Sequence, residues 1–293
     1  MLFRSATATL PEGTRPAGAE PDPEAVAQVA RLLGEAERPV LILGTDVWAD
    51  GAEQAALDLV EAIGVPTITN GMGRGVVPGG HPQLVTKARG KALGGADLVV
   101  VVGTPLDFRL GYGVFGGKDG TEPARVVHVA DSPGQVSQHA TLAGSVSGDL
   151  GAVFRGLGAA LEQTDLSAWK SWVEDLQAAV REAARRDAEL LRAEADPIHP
   201  ARIYGELLPR LADDAVVIGD GGDFVSFAGK YVEPKRPGGW LRPAGRRSHP
   251  RRRGRGRESA AAWGRDRRQP PRRTGPPARS RRKPVPGARW RRC

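Results

Sequence analysis

Apolar positions change period in a regular alternation from residue 22 onward. Asp22-Pro23 predicts a helix start, because an aspartate cap accepts from first-turn N–H groups and proline at the first helical position loses nothing there. Val26, Val29, Leu32 and Leu33 then recur at helical spacing. Pro39-Val-Leu-Ile-Leu-Gly44 is an unbroken apolar run closed by glycine, the form of a strand covered on both faces. Ala55 to Ile63 returns to helical spacing and stops at Gly64. Pro66–Thr69 reads as a short strand that breaks into Gly71-Met-Gly-Arg-Gly75, and Leu84–Leu93 as a weaker helix. Asp97–Gly103 is the strongest strand, Arg125–Ala130 resembles it, and Val153–Leu161 closes the unit as a helix. The fold class predicted is α/β, a doubly wound parallel sheet with helices on both faces. The pattern does not fix the strand order.

Leu166, Trp169, Trp172, Val173, Leu176 and Val180 form a stripe on a long charged helix reaching about Ala193. It is read as packing on its own domain or bridging to the next. Asp196-Pro197 ends it. A second unit opens at His199-Pro200, with a helix through Leu211 and a strand over Ala215–Ile218 that runs into Gly219-Asp-Gly-Gly-Asp-Phe224. The expected organisation is a linker over 1–21, a Rossmann-like domain over 22–164 and a connecting helix over 165–195. An incomplete second α/β domain over 196–240 and a disordered basic tail over 241–293 follow.

Charge sharpens that division. The net +8 averages two unlike segments: Leu241–Cys293 holds 20 Lys/Arg against two acidic residues, leaving 22 basic and 32 acidic residues before it. The body is an ordinary acidic one. The tail has too few aliphatic residues to fold. It reads as the product of a shifted reading frame in a GC-rich gene, with a basic arm for nucleic acid as the lesser reading. Only Trp263 and Trp290 could stack on bases, so nucleic acid is disfavoured as a partner. The single cysteine, Cys293, excludes an internal disulfide or a Cys-built metal site. No apolar run approaches the roughly 20 residues of a membrane span, and the start lacks a secretory signal. No membrane partner and a cytoplasmic location are expected.

Five local patterns carry the chemistry. They are Asn70-Gly-Met-Gly-Arg-Gly75 with Pro78 and His81-Pro82, Gly103-Thr-Pro-Leu-Asp-Phe-Arg109, Asp131-Ser-Pro133, His199-Pro200, and Gly219–Phe227. Loops at the carboxyl ends of parallel strands are where open α/β sheets bind ligands. Their glycines permit positive φ and close approach of backbone N–H groups to a phosphate or ring. In order and spacing, over Asp22–Trp240, these patterns resemble the middle domain and the opening of the C-terminal domain of thiamine-diphosphate enzymes of the acetolactate synthase type.

The resemblance implies decarboxylation of pyruvate and carboligation to a second 2-keto acid, in branched-chain amino-acid biosynthesis. It implies thiamine diphosphate and Mg²⁺ as cofactors of the intact member, with homodimers or homotetramers. In the synthases the middle domain also holds FAD in a structural role. Carried over, Gly103, Thr104 and Arg109 line that pocket and Asp131 accepts from a ribose or ribityl hydroxyl. Pro105 and Phe108 depart from the family's usual arginine and second aspartate. Gly219-Asp220-Gly221 is not the metal motif, because that motif needs a following Asn and the chain's only one is Asn70. It matches an earlier loop that touches the cofactor phosphates, giving Gly221, Gly222, Asp223 and Phe224 as contacts, with Asp223-Phe224 in place of the family's Gln-His.

No catalytic or metal-ligating residue is assigned within the chain. The activating glutamate lies on the family's N-terminal domain, for which no counterpart is read here, so the chain alone is expected to have no synthase activity. His81, His128 and His199 read as structural or surface histidines, none at a metal-ligand interval. The runner-up is a thiamine-dependent acyl-CoA decarboxylase or lyase of the oxalyl-CoA or 2-hydroxyacyl-CoA type. From another class, a non-catalytic nucleotide-binding module with a basic arm predicts salt-sensitive DNA binding that is lost when residues after Trp240 are removed.

Overall fold

The computed structural model describes residues 18–120, 122–219 and 223–241. Residues 1–17 of the linker expected over 1–21, and residues 242–293 of the tail expected over 241–293, lie outside the described residues. Helix α1 (Pro23–Gly34) begins as the sequence predicts, with the Asp22 carboxylate accepting from the Glu24 N–H at 3.1 Å. Strand β1 (Pro39–Leu43), helices α2 (Thr45–Ala49) and α3 (Glu53–Ile63), and strand β2 (Thr67–Thr69) follow. Then come α4 (Arg89–Gly95), β3 (Leu98–Val102), β4 (Arg125–Ala130), β5 (Gly144–Ser147) and α5 (Leu150–Leu161). The sheet order is β2-β1-β3-β4-β5 with every pairing parallel.

Side chains alternate across each strand and so sort into two cores. Leu41, Leu43, Leu98, Val100, Val102, Val127 and Val129 pack with α1, α3 and α5 on one face. Val40, Ile42, Val99, Val101 and Val126 pack with α4 and the later helix α6 (Lys170–Arg192) on the other. All five positions of β1 and of β3 are buried, which is why those strands carry no polar alternation.

Several boundaries differ from expectation. Leu84 forms a bridge to Thr67, so the predicted Leu84–Leu93 helix becomes a 3₁₀ turn at Thr86–Ala88 followed by α4. Strand β5 leaves no apolar run in the sequence because it is an edge strand with only Val146 buried among its four residues. Helix α2 has five residues, too few for a period to appear.

Helix α6 packs against two of the cores. The indole N–H groups of Trp169, just before it, and Trp172 donate to the carbonyls of Ala36 and Pro39 at 2.9 and 3.1 Å, fixing its start beside the beginning of β1. Near its end, Leu191 joins a third core with Ala201, Tyr204, Ala228, Tyr231, Val232 and Trp240. That core unites α7 (Pro200–Leu207), β6 (Val217–Ile218), α8 (Asp223–Tyr231) and β7 (Trp240–Leu241). Strands β6 and β7 pair in parallel. The strand predicted over Ala215–Ile218 is shortened to two residues, and Ile218 is 67% exposed. All the described residues fall within one compact unit.

Candidate functional site

The strand order places the reversal of chain winding between β1 and β3, where doubly wound sheets form their ligand crevice. Both strands end in glycine there. Gly44 N–H donates to Val102 O at 2.8 Å, and Asp46 N–H donates to Gly103 O at 2.9 Å. A Cβ on Gly44 would sit 2.3 Å from the Thr104 Cβ and 2.4 Å from Gly103 O. Gly103 has φ +65°, and a Cβ there would meet Val47 N at 2.9 Å. The loop after β2 closes on the same point, with Asn70 N–H donating to Leu43 O at 2.8 Å and Met72 N–H to the Thr45 hydroxyl at 3.2 Å. The glycines therefore bring three strand ends into backbone contact.

From Thr104 the β3 loop is pinned by two histidines. His128, almost fully buried on β4, accepts from Ser137 N–H through Nδ1 at 3.0 Å, so its proton lies on Nε2, which donates to Thr104 O at 3.0 Å. His139 Nε2 lies 2.8 Å from Leu106 O. Loops after β3 and β4 are thus tied carbonyl to imidazole. The strand position of His128 was legible in the sequence; this role was not, because its partner lies 24 residues away.

Burial pushes the His128 imidazole below its ordinary value; the bond to Thr104 opposes this and His139 reinforces it. The unfolded chain binds the proton first as pH falls through about 6.5, so folded stability drops below that pH and is unaffected above it. We expect the urea midpoint to fall between about pH 7.5 and 5.5 by more in the wild type than in His128→Gln. Equal falls would remove His128 as the cause.

Arg109 and Asp131 have close neighbours as partners. Arg109 Nε donates to Asp107 Oδ2 at 3.0 Å, and Asp107 Oδ1 accepts from Arg109 N–H at 2.9 Å. The hydrogen bond from Arg109 holds the Asp107 carboxyl below its usual range and raises the guanidinium in turn. Asp131 accepts from the Ser132 hydroxyl at 3.0 Å and from the Gln135 amide. Beyond Arg109 the chain passes through three left-handed residues, Gly111, Tyr112 and Gly113. It presents Phe108 and Tyr112 at 72% and 58% exposure. The exposed aromatic pair was not among the residues read from the sequence as site-forming.

Gly103, Thr104 and Arg109 thus lie on the loop after β3 and Asp131 on the loop after β4, each paired within its own neighbourhood. Gly221 and Gly222 lie outside the described residues. Asp223 and Phe224 open α8, and their side chains lie outside the described residues. His199 caps α7, its Nδ1 accepting from Ala201 N–H at 3.1 Å, in keeping with a structural role. Among the described residues no group of three or more His, Cys, Asp or Glu is placed to hold a metal.

Residues 26–157 match the model of the thiamine pyrophosphate enzyme central domain. The chain belongs to the thiamine pyrophosphate enzyme family. Over 241 residues it is 43% identical to the acetolactate synthase large subunit of Mycobacterium tuberculosis, covering 79% of this chain and 40% of the relative. A probable acetolactate synthase of Mycobacterium bovis matches to the same extent, 43% over 79% of this chain and 40% of the relative. Human 2-hydroxyacyl-CoA lyase 2 is 31% identical over 83% of this chain and 38% of the relative. The chain therefore spans about two-fifths of the length of the curated relatives it matches. Within the thiamine pyrophosphate enzyme family, the sheet and loops described above correspond to the central domain, and its matched span ends inside α5.

Proposed function

We propose that this chain is the central domain and the opening of the diphosphate-binding domain of an acetolactate synthase-like enzyme. The domain limits proposed are 22–164, 165–195 for the bridge and 196–240 for the second domain. The observation that carries this reading is 43% identity to acetolactate synthases across 241 residues, compared with 31% to the CoA lyase. The activity proposed is decarboxylation of pyruvate and its joining to a second 2-keto acid, with Mg²⁺ and thiamine diphosphate in the intact enzyme. When bound, thiamine diphosphate supplies the carbanion chemistry, and the protein orients and shields it. The described residues do not complete a site for either group. A homodimer or homotetramer in the cytoplasm is proposed with the activity. Among the described residues no helix is long and apolar enough to cross a membrane.

FAD belongs to the synthase reading, with Gly103, Thr104, Arg109 and Asp131 as its contacts. As placed, the polar pair does not fit it. Arg109 faces Asp107, and Asp131 already accepts from Ser132 and Gln135. A flavin phosphate would have to draw Arg109 from Asp107, exchanging one charge-assisted bond for another. Flavin absorbance on the purified protein, lost in Arg109→Ala, would establish that exchange; protein that stays colourless with added FAD would end it.

The decisive test is a chimera. Residues 22–240 replace their counterpart in the Mycobacterium tuberculosis synthase, and acetolactate formation from pyruvate is measured. Turnover is expected. A folded chimera that is inert on pyruvate but cleaves a 2-hydroxyacyl-CoA would move the chain to the lyase branch. The purified chain alone is expected to form no acetolactate under the same assay.

A further inference from the structure

We propose that the glycine-rich loop after β2, Asn70–Gly80, is a docking cradle for α8 and the chain that follows it, with Arg74 as its central positioning residue. The loop lies at the ligand-binding end of the sheet, and glycines there suggest phosphate. Its contacts point elsewhere. Arg74 is the only cation in the segment, and its Nη2 donates to Gly229 O and, at 3.3 Å, to Val232 O. Those carbonyls lie in the last turn of α8 and just past it, where helical carbonyls lack intrahelical partners and the dipole favours a cation. The Arg74 guanidinium carbon also stands 4.8 Å from the centre of the Trp240 ring. One side chain thus bonds a helix end and stacks on the strand beside it.

The glycines serve the same contact. Gly75 has φ +90°, and a Cβ there would lie 2.0 Å from Arg236 O. Gly79 N–H donates to Pro234 O at 2.9 Å, and a Cβ on Gly79 would lie 2.8 Å from Glu233 O. Backbone meets backbone at both points, leaving no room for a ligand between them. A charge chain reinforces the seat. Asp187 of α6, its side chain 9% exposed, lies 2.9 Å from Lys230 of α8 and 3.6 Å from Lys87, and Lys87 lies 3.7 Å from Glu233. Signs alternate along the four groups, so each cation has an anion on both sides or at its end.

The consequence for chemistry rests on the proposed function. Helix α8 opens with Asp223 and Phe224, two of the residues assigned to the cofactor phosphates, so holding its far end orients that helix relative to the sheet. The docking itself does not depend on that reading.

Hydrogen exchange on the full chain tests it, without thiamine diphosphate, in the wild type, Arg74→Ala, Arg74→Lys, Gly75→Ala and Asp187→Asn. The two alanine variants and Asp187→Asn are expected to speed exchange across 225–232 by about tenfold while β1 and β3 keep their protection. Arg74→Lys should fall between, because one ammonium cannot match a guanidinium fork. Unchanged exchange across 225–232 in both alanine variants would overturn the proposal. So would equal acceleration in β1 and β3, or wholesale unfolding, since either makes these residues general stabilisers rather than a local seat. A positive result beside an inert chimera would fault the functional reading alone.

Discussion

Replacing Trp172 with alanine is expected to destabilise the fold by about 4 kcal/mol, in the range for deleting a buried tryptophan. Three observations set that size. The ring is buried among Val40, Ile42, Val99 and Leu176 in the core beneath α4 and α6. Its edge fills the space that Gly95 leaves open, where a Cβ would lie 3.1 Å from the indole Cη2. Its N–H donates to Pro39 O at 3.1 Å, the carbonyl that opens β1. Alanine would remove the packing and leave that buried carbonyl unpaired at once. Phenylalanine at the same position keeps most of the volume and loses only the bond, so about 1–2 kcal/mol is expected. Urea denaturation of the two variants measures both. A loss under about 1 kcal/mol for alanine would show that α6 is not held here, since filling by neighbours rarely recovers so much.

The contrast between Trp172 and its surroundings shows which parts of the fold the sequence discloses. β1, β3 and β4 are legible because each is hydrogen-bonded on both edges and covered on both faces, so nearly every position must be apolar. β5 bonds one neighbour, and its Gly-Ser-Val-Ser carries no such constraint. The stripe holding Trp169 and Trp172 is visible as a helical period, but the carbonyls they bond lie 133 residues back. Partner choice over that distance is a property of the fold, not of any local pattern. The same limit governs the candidate site. The Gly103–Arg109 loop is visible as glycine after a strand, and an Asp two residues from an Arg already hints at the ion pair. The His128–Thr104 bond and the engagement of α8 by Arg74 have no local counterpart. Glycines in the loop after β2 are legible as glycines; what presses against them is not.

Gly44→Ala is expected to cost about 3 kcal/mol, the upper range for forcing atoms into a packed interior. Backbone preference is not the reason. Gly44 has φ −107° and ψ −169°, extended backbone open to any residue. The cost is positional: the added methyl would lie 2.3 Å from the Thr104 Cβ and 2.4 Å from Gly103 O, and both belong to a loop pinned by His128. Relief requires the ends of β1 and β3 to separate, which would break the Gly44-to-Val102 and Asp46-to-Gly103 bonds. Gly64 is the control. It ends α3 at φ +68° with nothing within 4 Å of its would-be Cβ, so alanine there meets only the left-handed backbone penalty of about 1–2 kcal/mol. Thermal or urea unfolding should therefore rank Gly44→Ala below Gly64→Ala in stability. The reverse order would mean that the contact at Gly44 is relieved at little cost, and that the crevice between β1 and β3 is wide enough to admit a side chain.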